Sequence, residues 1–428
     1  MIRAALLLAV TATAVSYPVN RVRETGARVR GRESGPPLAF FEAFNSRGMG
    51  TSGPCSTTAP TGARGETLTF TRASSATCTK TASGGLATTG IADGDLVVLS
   101  SNVARVEYDS AGTLGLLVEA ARTNSCTQSE AINSAAWNNG FSGAAAPTLN
   151  GANAGVSPDG ATTAEDYTFP ATSAAQLSFR YSAVVVTTAI PWTGSVYVEG
   201  VSTGGTTDLC IDSATVKTCT PCVVPVVGSW SRCVLTVTAA VGNTLLYIGN
   251  QSAYNGGTAR NSVRAYVWGA QLEAGAYATS YIPTTTIAVA RAAERAIFTL
   301  PAAVSTTTGS HAASLIVPWA SANAVLFYPI TYGANASPIY GLNDVRTYDS
   351  TTQVIRATTW TALTQKRMWS SYTGSTQSIN DGTGTTTGAF DGAMPVTTSL
   401  EMCSQGAVGW CDGIISRVCA DSDPARCR

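Results

Sequence analysis

Histidine is all but missing: His311 is the only one in 428 residues. A metal site built on several imidazoles is therefore excluded, and any Ser-His-Asp or Cys-His relay has to use this one residue. It lies in "TTGSHAASLIV", at an expected loop-to-strand boundary with no acidic neighbour in sequence, which reads as a solvated or capping histidine. Charge is also scarce. Charged residues make up 12% of the chain, and 26 Lys and Arg balance 26 Asp and Glu. No whole-protein field exists to draw in nucleic acid or an anionic membrane. Long Leu-, Lys- and Glu-rich runs are missing, which disfavours helix, whereas abundant Gly, Thr and Ser favour short strands joined by turns. No glycine pair stands between a strand and a helix, so phosphate loops and dinucleotide fingerprints are absent. The 44% hydrophobic content excludes disorder throughout.

What is present is strand rhythm. A chain this long is expected to hold about two to four domains. Residues 40–136 carry "TLTFTRA", "DLVVLS", "ARVEYD" and "LGLLVEA", short segments alternating with period two and separated by Gly, Ser and Asp. Residues 117–136 hold the one stretch with any helical character. A loose Ala, Asn and Gly stretch follows to Gly160, and then "AQLSFRYSAVV", "TGSVYVEGV", "SWSRCVLTVTA" and "SVRAYVWGAQLE" recur at sandwich or jelly-roll spacing. Another series runs from "RAIFTLP" to "GIISRVCA", with "NDGTG" at 380–384 as a hairpin turn. The expected fold is all-β: two tandem antiparallel β-sandwich (jelly-roll) domains, 137–290 and 291–428, preceded by an N-terminal arm or leader, 1–39, and a β-rich lead-in or attachment segment, 40–136.

The arm begins "MIRAALLLAVTATAVSYP", the outline of a secretory signal whose apolar run is too short to span a bilayer comfortably. Arg21, Arg23, Arg28, Arg30 and Arg32 follow, opposed by Glu24 and Glu33. Two readings stay open: a cleaved leader with a solvated linker, or an extension that docks on a larger assembly.

Eleven cysteines cannot all pair within one chain. Cys403, Cys411, Cys419 and Cys427, spaced by eight, suit staples between adjacent strands in an oxidising environment, or else serve as small buried hydrophobes. Cys219 and Cys222 form "CTPC", but strand and loop flank them where a redox pair wants a helix N-terminus. Carboxylate pairs for glycoside cleavage are equally thin. "EYDSAG", from Glu107, starts a Glu-x-Asp-x-x-Glu pattern and lacks its last acid.

The stretches "TFTRASSATCTK" and "NVARVEYDSAGTLGLLVEAARTNSCTQSEAINSAAW", and then "VWGAQLEAGAYATSYIPTTTIAVARAAER", resemble recurring phrases of bacteriophage virion proteins of the head-spike and tail-fibre kind. In such proteins the first two resemble a lead-in to a carbohydrate-binding-module-like sandwich, and the third its closing strand and exit linker. Residues 296–428 resemble a laminin-G-like or concanavalin-like jelly roll more loosely, through "FDGAMPVTTSLEMCSQGAVGWCDGIISRVCAD". The resemblance implies a non-catalytic structural protein of the virion surface, a homotrimer attached to other virion proteins through its N-terminal arm and adhering to host surface polysaccharide. The alternatives are a secreted lectin-like protein, a purely architectural capsid or tail component, and a cryptic polysaccharide hydrolase.

Sugars stack their apolar C–H faces on aromatic rings. Trp192, Tyr254, Asn255, Trp319, Tyr332, Trp360 and Trp369 lie in or beside expected loops and are the glycan-binding candidates, while Trp230, Trp268 and Trp410 sit in strand patterns and read as core. No cofactor is expected, Ca²⁺ being the one candidate. Asp381 and Asp391, with Asp412, would supply its oxygen ligands, although turn chemistry accounts equally for the first two, which precede Gly.

Overall fold

A computed structural model of the chain describes residues 40–41, 53–58 and 67–427, apart from 82–83, 110–111, 113, 214–215, 301–302, 322–325, 333–335, 343, 392, 404, 406–409 and 423–426. The expected arm, 1–39, lies outside the described residues. Among those described, the named elements are β-strands and a 3₁₀ turn, Gly84–Leu86, and every pair of named strands is antiparallel. No described helix is long and apolar enough to cross a membrane. The helical character expected in 117–136 is not realised. Leu114–Val118 and Arg122–Asn124 are strands, and turns follow.

The first sandwich stacks two five-stranded sheets. One runs Ser231–Thr238, Pro191–Gly200, Val263–Ala274, Ala164–Phe169, Thr148–Gly155; the other runs Val216–Val224, Gly205–Ser213, Gly242–Asn250, Leu177–Val186, Trp137–Ser142. Period-two alternation turns Val184, Val186, Leu209, Ile211, Leu246 and Ile248 inward against Tyr167, Phe169, Val196, Val198, Ala265 and Val267 of the facing sheet. The stretch expected to be loose, 137–160, supplies two edge strands. Thr148–Gly155 is exposed along nearly its whole length, so no hydrophobic alternation marks it.

The second sandwich is assembled from distant parts of the chain. Its larger sheet orders Thr385–Ala389, Thr376–Asn380, Lys366–Thr373, Thr308–Ile316, Gly413–Asp421, Leu114–Val118 and Arg105–Tyr108, and Phe40–Phe41 also pairs with Gly413–Asp421. The facing sheet orders Thr67–Thr71, Arg295–Thr299, Ser399–Met402, Phe327–Thr331, Ser337–Gly341, Asp344–Tyr348 and Gln353–Ala357. The lead-in segment thus gives four strands to the second sandwich, Phe40–Phe41, Thr67–Thr71, Arg105–Tyr108 and Leu114–Val118, and the first sandwich is an insertion in it. The hairpin expected at 380–384 is present, with Asn380 opposite Thr385.

At the neck of this insertion the scarce charges converge. Glu294 accepts from Arg72 Nη1 at 2.7 Å, from Arg105 Nε at 2.7 Å and Nη2 at 2.6 Å, and from the Glu119 N–H at 2.9 Å. Glu119 accepts from Arg105 at 2.6 Å, Arg291 at 2.9 Å and the Ser280 hydroxyl at 2.7 Å. All five charged side chains are buried. Burial alone would push the Glu119 carboxyl up, but Arg291 and Arg105 hold it well below the usual range. Beside it, Asn124 clamps the Ala270 and Ile282 carbonyls with its amide and accepts from the Cys126 and Leu272 N–H groups. The segment "RAAER" is charged because it plugs this joint.

Glu107 sits at the edge of the joint, accepting from the Gly85 and Thr79 N–H groups. Burial pushes its carboxyl up from 4.5 to about 7, against the pull of Arg105. A carboxyl whose folded pKa is raised binds its proton more tightly folded than unfolded. Its contribution is complete below about pH 4.5 and is lost as pH rises through about 7. Glu165, likewise pushed up to about 7 by burial, adds to the same fall. Glu119 has the opposite sign, stabilising at neutral pH and losing its contribution in acid. Between about pH 5 and about pH 8 the unfolding free energy of Glu107→Gln is therefore expected to fall less than that of the parent chain. Chemical denaturation across that range checks it, and equal slopes would refute the assignment.

Candidate functional site

The outer face of the second sheet of the first sandwich carries an aromatic platform. Strand alternation that sends Val184 and Ile248 inward sends Phe179, Tyr181 and Tyr247 outward. Register then aligns Asn138, Tyr181, Tyr247, Cys210 and Cys219 in one row across the five strands. Phe179 lies 4.5 Å from Tyr247 between ring centroids and 5.9 Å from Tyr181, and Tyr181 meets Tyr247 edge-on at 5.9 Å. Gly249, at φ +144°, makes the close approach possible: a Cβ there would stand 2.5 Å from the Ser178 carbonyl oxygen and 2.6 Å from the Phe179 Cα. Phe179 and Tyr247 are buried beneath their neighbours, and Tyr181 and Tyr254 stay half-exposed.

A polar rim borders the rings. Tyr247 donates its hydroxyl to Asp212 at 2.6 Å, Lys217 Nζ stands 3.0 Å from the same carboxylate, and it lies 3.8 Å from the Tyr254 ring centroid. The Tyr247 hydroxyl is pushed well up by burial and by Asp212; it stays protonated and donates. Loop 251–260 that presents Tyr254 is pinned on buried Asp208, which takes the Gln251 N–H at 3.0 Å, Asn255 Nδ2 at 3.1 Å and Arg260 Nη2 at 2.7 Å. Asn255 Oδ1 accepts from the Thr258 N–H at 2.8 Å. Of the sequence candidates, Tyr254 is thus a platform ring, and Asn255 holds the loop that carries it.

The other aromatic candidates are placed differently. Trp319 and Trp360 are 1% and 2% exposed in the core of the second sandwich, 5.3 Å apart and both packed on Phe327. Tyr332 is buried with its hydroxyl against His311 Nε2, and Trp192 is buried in the first core with Nε1 donating to the Thr188 carbonyl at 3.4 Å. These four placements correct the expectation of open stacking rings: segments that look like loops in sequence turn their large side chains into the core, where burial stabilises them most. Trp369 is half-buried on the outer face of the larger sheet against Ala312, Cys419 and Cys427. Trp230 and Trp268 are core as expected, and Trp410 is half-buried, donating to the Glu294 carbonyl at 2.7 Å.

His311 is not solvated. Burial pushes its imidazole down to about 3, so it is neutral, and it lies stacked on Tyr372. Asp381 Oδ1 already accepts from Arg356 Nε at 2.6 Å, Thr383 Oγ1 at 2.7 Å and the Thr383 and Gly384 N–H groups at 3.0 and 3.1 Å. Those bonds serve the turn, and Arg356 beside them repels a second cation. Asp391 is exposed and accepts from the Ala393 N–H at 2.9 Å. Asp412 is buried at the joint, bonded to Tyr277, Arg122 and the Ala120 N–H. Among the described residues no group of three or more His, Cys, Asp or Glu side chains is placed to hold a metal ion.

All eleven cysteines are accounted for. Cys55–Cys78, Cys210–Cys219, Cys222–Cys233, Cys403–Cys411 and Cys419–Cys427 are disulfides, and Cys126 is a buried free thiol. The two cysteines of "CTPC" therefore bond to different strands and not to each other.

Phe179, Tyr181, Asp212, Lys217 and Tyr247 were not singled out from sequence. Their alternation is visible in "LSFRYSAVV" and "TLLYIGN", yet alternation alone does not say which face is outside. No protein-family model matches the chain, and no curated protein matches it. Among solved structures it is similar to the N-terminal CBM22-1-CBM22-2 tandem domain of Xyn10C from Paenibacillus barcinonensis, at 11% identity, over 72% of this chain and 98% of that one, with a TM-score of 0.23. Backbones with so low a score do not superpose as wholes, so the functional reading rests on this chain's own residues.

Proposed function

We propose that the chain is a non-catalytic adhesion protein that holds carbohydrate on the aromatic outer face of its first sandwich. The observation that carries this reading is the pair of half-exposed rings, Tyr181 and Tyr254, backed by Tyr247 and bordered by Asp212 and Lys217. Rings of this kind offer stacking faces to sugar C–H groups, and the rim supplies a donor and an acceptor for hydroxyls. Absence of catalysis is supported by the candidate acids: Glu107 and Asp109 are both buried, and the single histidine is buried and neutral. In this reading the ligand is a host surface polysaccharide, and the chain works as a homotrimeric spike or fibre component attached to other virion proteins through residues 1–39.

A secreted lectin-like protein is the second reading, favoured by the five disulfides, which form and persist outside a reducing cytoplasm. Mass spectrometry of purified particles against culture supernatant separates the two locations. For binding, Tyr181→Ala and Tyr254→Ala are each expected to weaken a neutral oligosaccharide selected on a glycan array by roughly 2- to 12-fold, the value of one stacking contact of about 0.5–1.5 kcal/mol. Calorimetry reads the change. If the double variant, folded as judged by circular dichroism, binds as the parent does, the platform is not the site.

A further inference from the structure

The lead-in segment covers the first sheet of the first sandwich only in part. Strand Ser231–Thr238 is the edge of that sheet, and residues 88–91 run beside its start. Trp230 and Ile91 exchange backbone bonds at 2.7 and 3.4 Å, and the Arg232 N–H donates to the Thr88 carbonyl at 2.8 Å. The pairing goes no further, and Gly84–Leu86 forms its 3₁₀ turn alongside. What remains is a cleft of about 220 Å³, floored by Arg232, Val234 and Thr236 and walled by Leu86, Ala278 and Leu363. Thr88 and Thr236 are exposed at its mouth, whereas Leu86 and Arg232 are buried at its base. Leu363 comes from the second sandwich and packs with the cluster of Leu86, Leu117, Ile316 and Ile414.

Arg232 is 3% exposed, and among the described residues no carboxylate forms an ion pair with it. Nε and Nη2 share the Ser195 hydroxyl at 3.2 and 3.0 Å, and Nη1 reaches the Gly85 carbonyl at 3.5 Å. A guanidinium has five N–H groups, so one on each terminal nitrogen is left over. Register shows where they point. Arg232 stands opposite Tyr197, whereas Ser195 stands opposite Val234. To bond Ser195, the side chain has to lean along its strand and lie over Val234, on the floor of the cleft, with Nη1 against Gly85 on its wall. The Nε and Nη2 edge faces the sheet, so the edge between Nη1 and Nη2 faces the cleft. Nearby acids are committed elsewhere. Glu107 takes the Gly85 and Thr79 N–H groups, Glu273 takes Gln271 and Thr279, and Asp412 takes Tyr277, Arg122 and the Ala120 N–H. None of these carboxylates lines the cleft, whose walls carry mainly aliphatic side chains and no second charge. A buried charge is costly unless it is paired, and the planar edge of a guanidinium matches the two oxygens of a carboxylate.

We infer that this cleft binds a small monocarboxylate with an apolar body, its two oxygens on the free edge of Arg232 and its body against Leu86, Val234 and Leu363. A cavity of about 150 Å³ admits benzene, so a ring bearing one carboxylate suits the volume here. Ligand sites concentrate where domains meet, and this cleft lies where the two sandwiches do. The inference is independent of the carbohydrate reading, because the cleft shares no residue with the aromatic platform.

The test titrates the full chain with three probes: benzoate, benzamide, which keeps the body and removes the charge, and acetate, which keeps the charge and removes the body. Benzoate is expected to bind roughly tenfold or more tightly than either, through a charged hydrogen bond in the first comparison and a buried apolar body in the second. Arg232→Met should abolish the advantage over benzamide. Thr236→Trp, at the exposed mouth, should block benzoate while leaving the charge in place. Amide shift changes in the parent protein decide if either variant fails to fold: benzoate must move residues 84–88, 232–236 and 276–278. Benzoate and benzamide binding alike, acetate binding as well as benzoate, no saturable benzoate binding, or shifts confined to the platform would overturn the inference. Silence on a glycan array would count against the platform and leave the cleft standing.

Discussion

Refolded in excess reductant, the chain is expected to stay unfolded, while the same refolding under oxidising conditions restores the native spectrum. The five disulfides close loops with sequence separations of 23, 9, 11, 8 and 8 residues. Chain-entropy reasoning assigns loops of that length about 2.5–3.5 kcal/mol each. Their sum exceeds about 10 kcal/mol, which rivals the whole net stability of a typical folded protein, about 5–15 kcal/mol. Two of these bonds also join separate parts of the fold. Cys222–Cys233 ties the edge strand Val216–Val224 to the opposite sheet, and Cys419–Cys427 ties the last described residue to strand Gly413–Asp421. Circular dichroism and tryptophan fluorescence with and without reductant read the outcome. Alkylation of the denatured, unreduced protein should label one cysteine, Cys126. A reduced chain that refolds with an unchanged midpoint would contradict the disulfide framework.

The second large effect concerns Glu294. Its truncation to Ala leaves Arg72 and Arg105 buried, with the carboxylate that neutralises them gone. Breaking a buried pair by removing one partner costs about 3–5 kcal/mol, because the stranded charge keeps its desolvation penalty without its compensation. Arg72 is the harder hit: burial already lowers its pKa and Glu294 is the carboxylate that opposes the fall, whereas Arg105 keeps its pair with Glu119. By contrast, Arg295→Ala removes a partly exposed pair with Glu401 that salt and water already screen, and it should cost about 0–1 kcal/mol. Urea denaturation of the two variants side by side checks the ordering. Equal midpoints would mean that the joint is not held by its charges.

The joint also shows how far sequence reasoning reached. The segments "TFTRASS", "ARVEYD", "LLVEAARTN" and "ATSYIPTTTIAVARAAER" were recognisable as phrases, and the charges in them were visible. What no local pattern states is that Arg72, Arg105, Glu119, Arg291 and Glu294, separated by up to 222 positions, meet in one buried cluster. The same limit applies to the site. Tyr254 was legible as a ring near a turn, whereas Trp319 and Trp360 looked identical by that criterion and are core. Aromatic residues near turns carry one local signature whether the chain folds them outward or inward.

Composition and period-two alternation by themselves determined that the chain is all-β, that it holds antiparallel sandwiches, and that a centre built on several histidines is excluded, because strand alternation and residue counts are local properties. Only the tertiary structure decided that the lead-in strands belong to the second sandwich, which faces of the sheets are outside, and which cysteines and charges are partners. Those outcomes depend on pairings between strands far apart in the chain, and the free energy that selects them comes from burying both faces of a pair at once, which no single segment encodes.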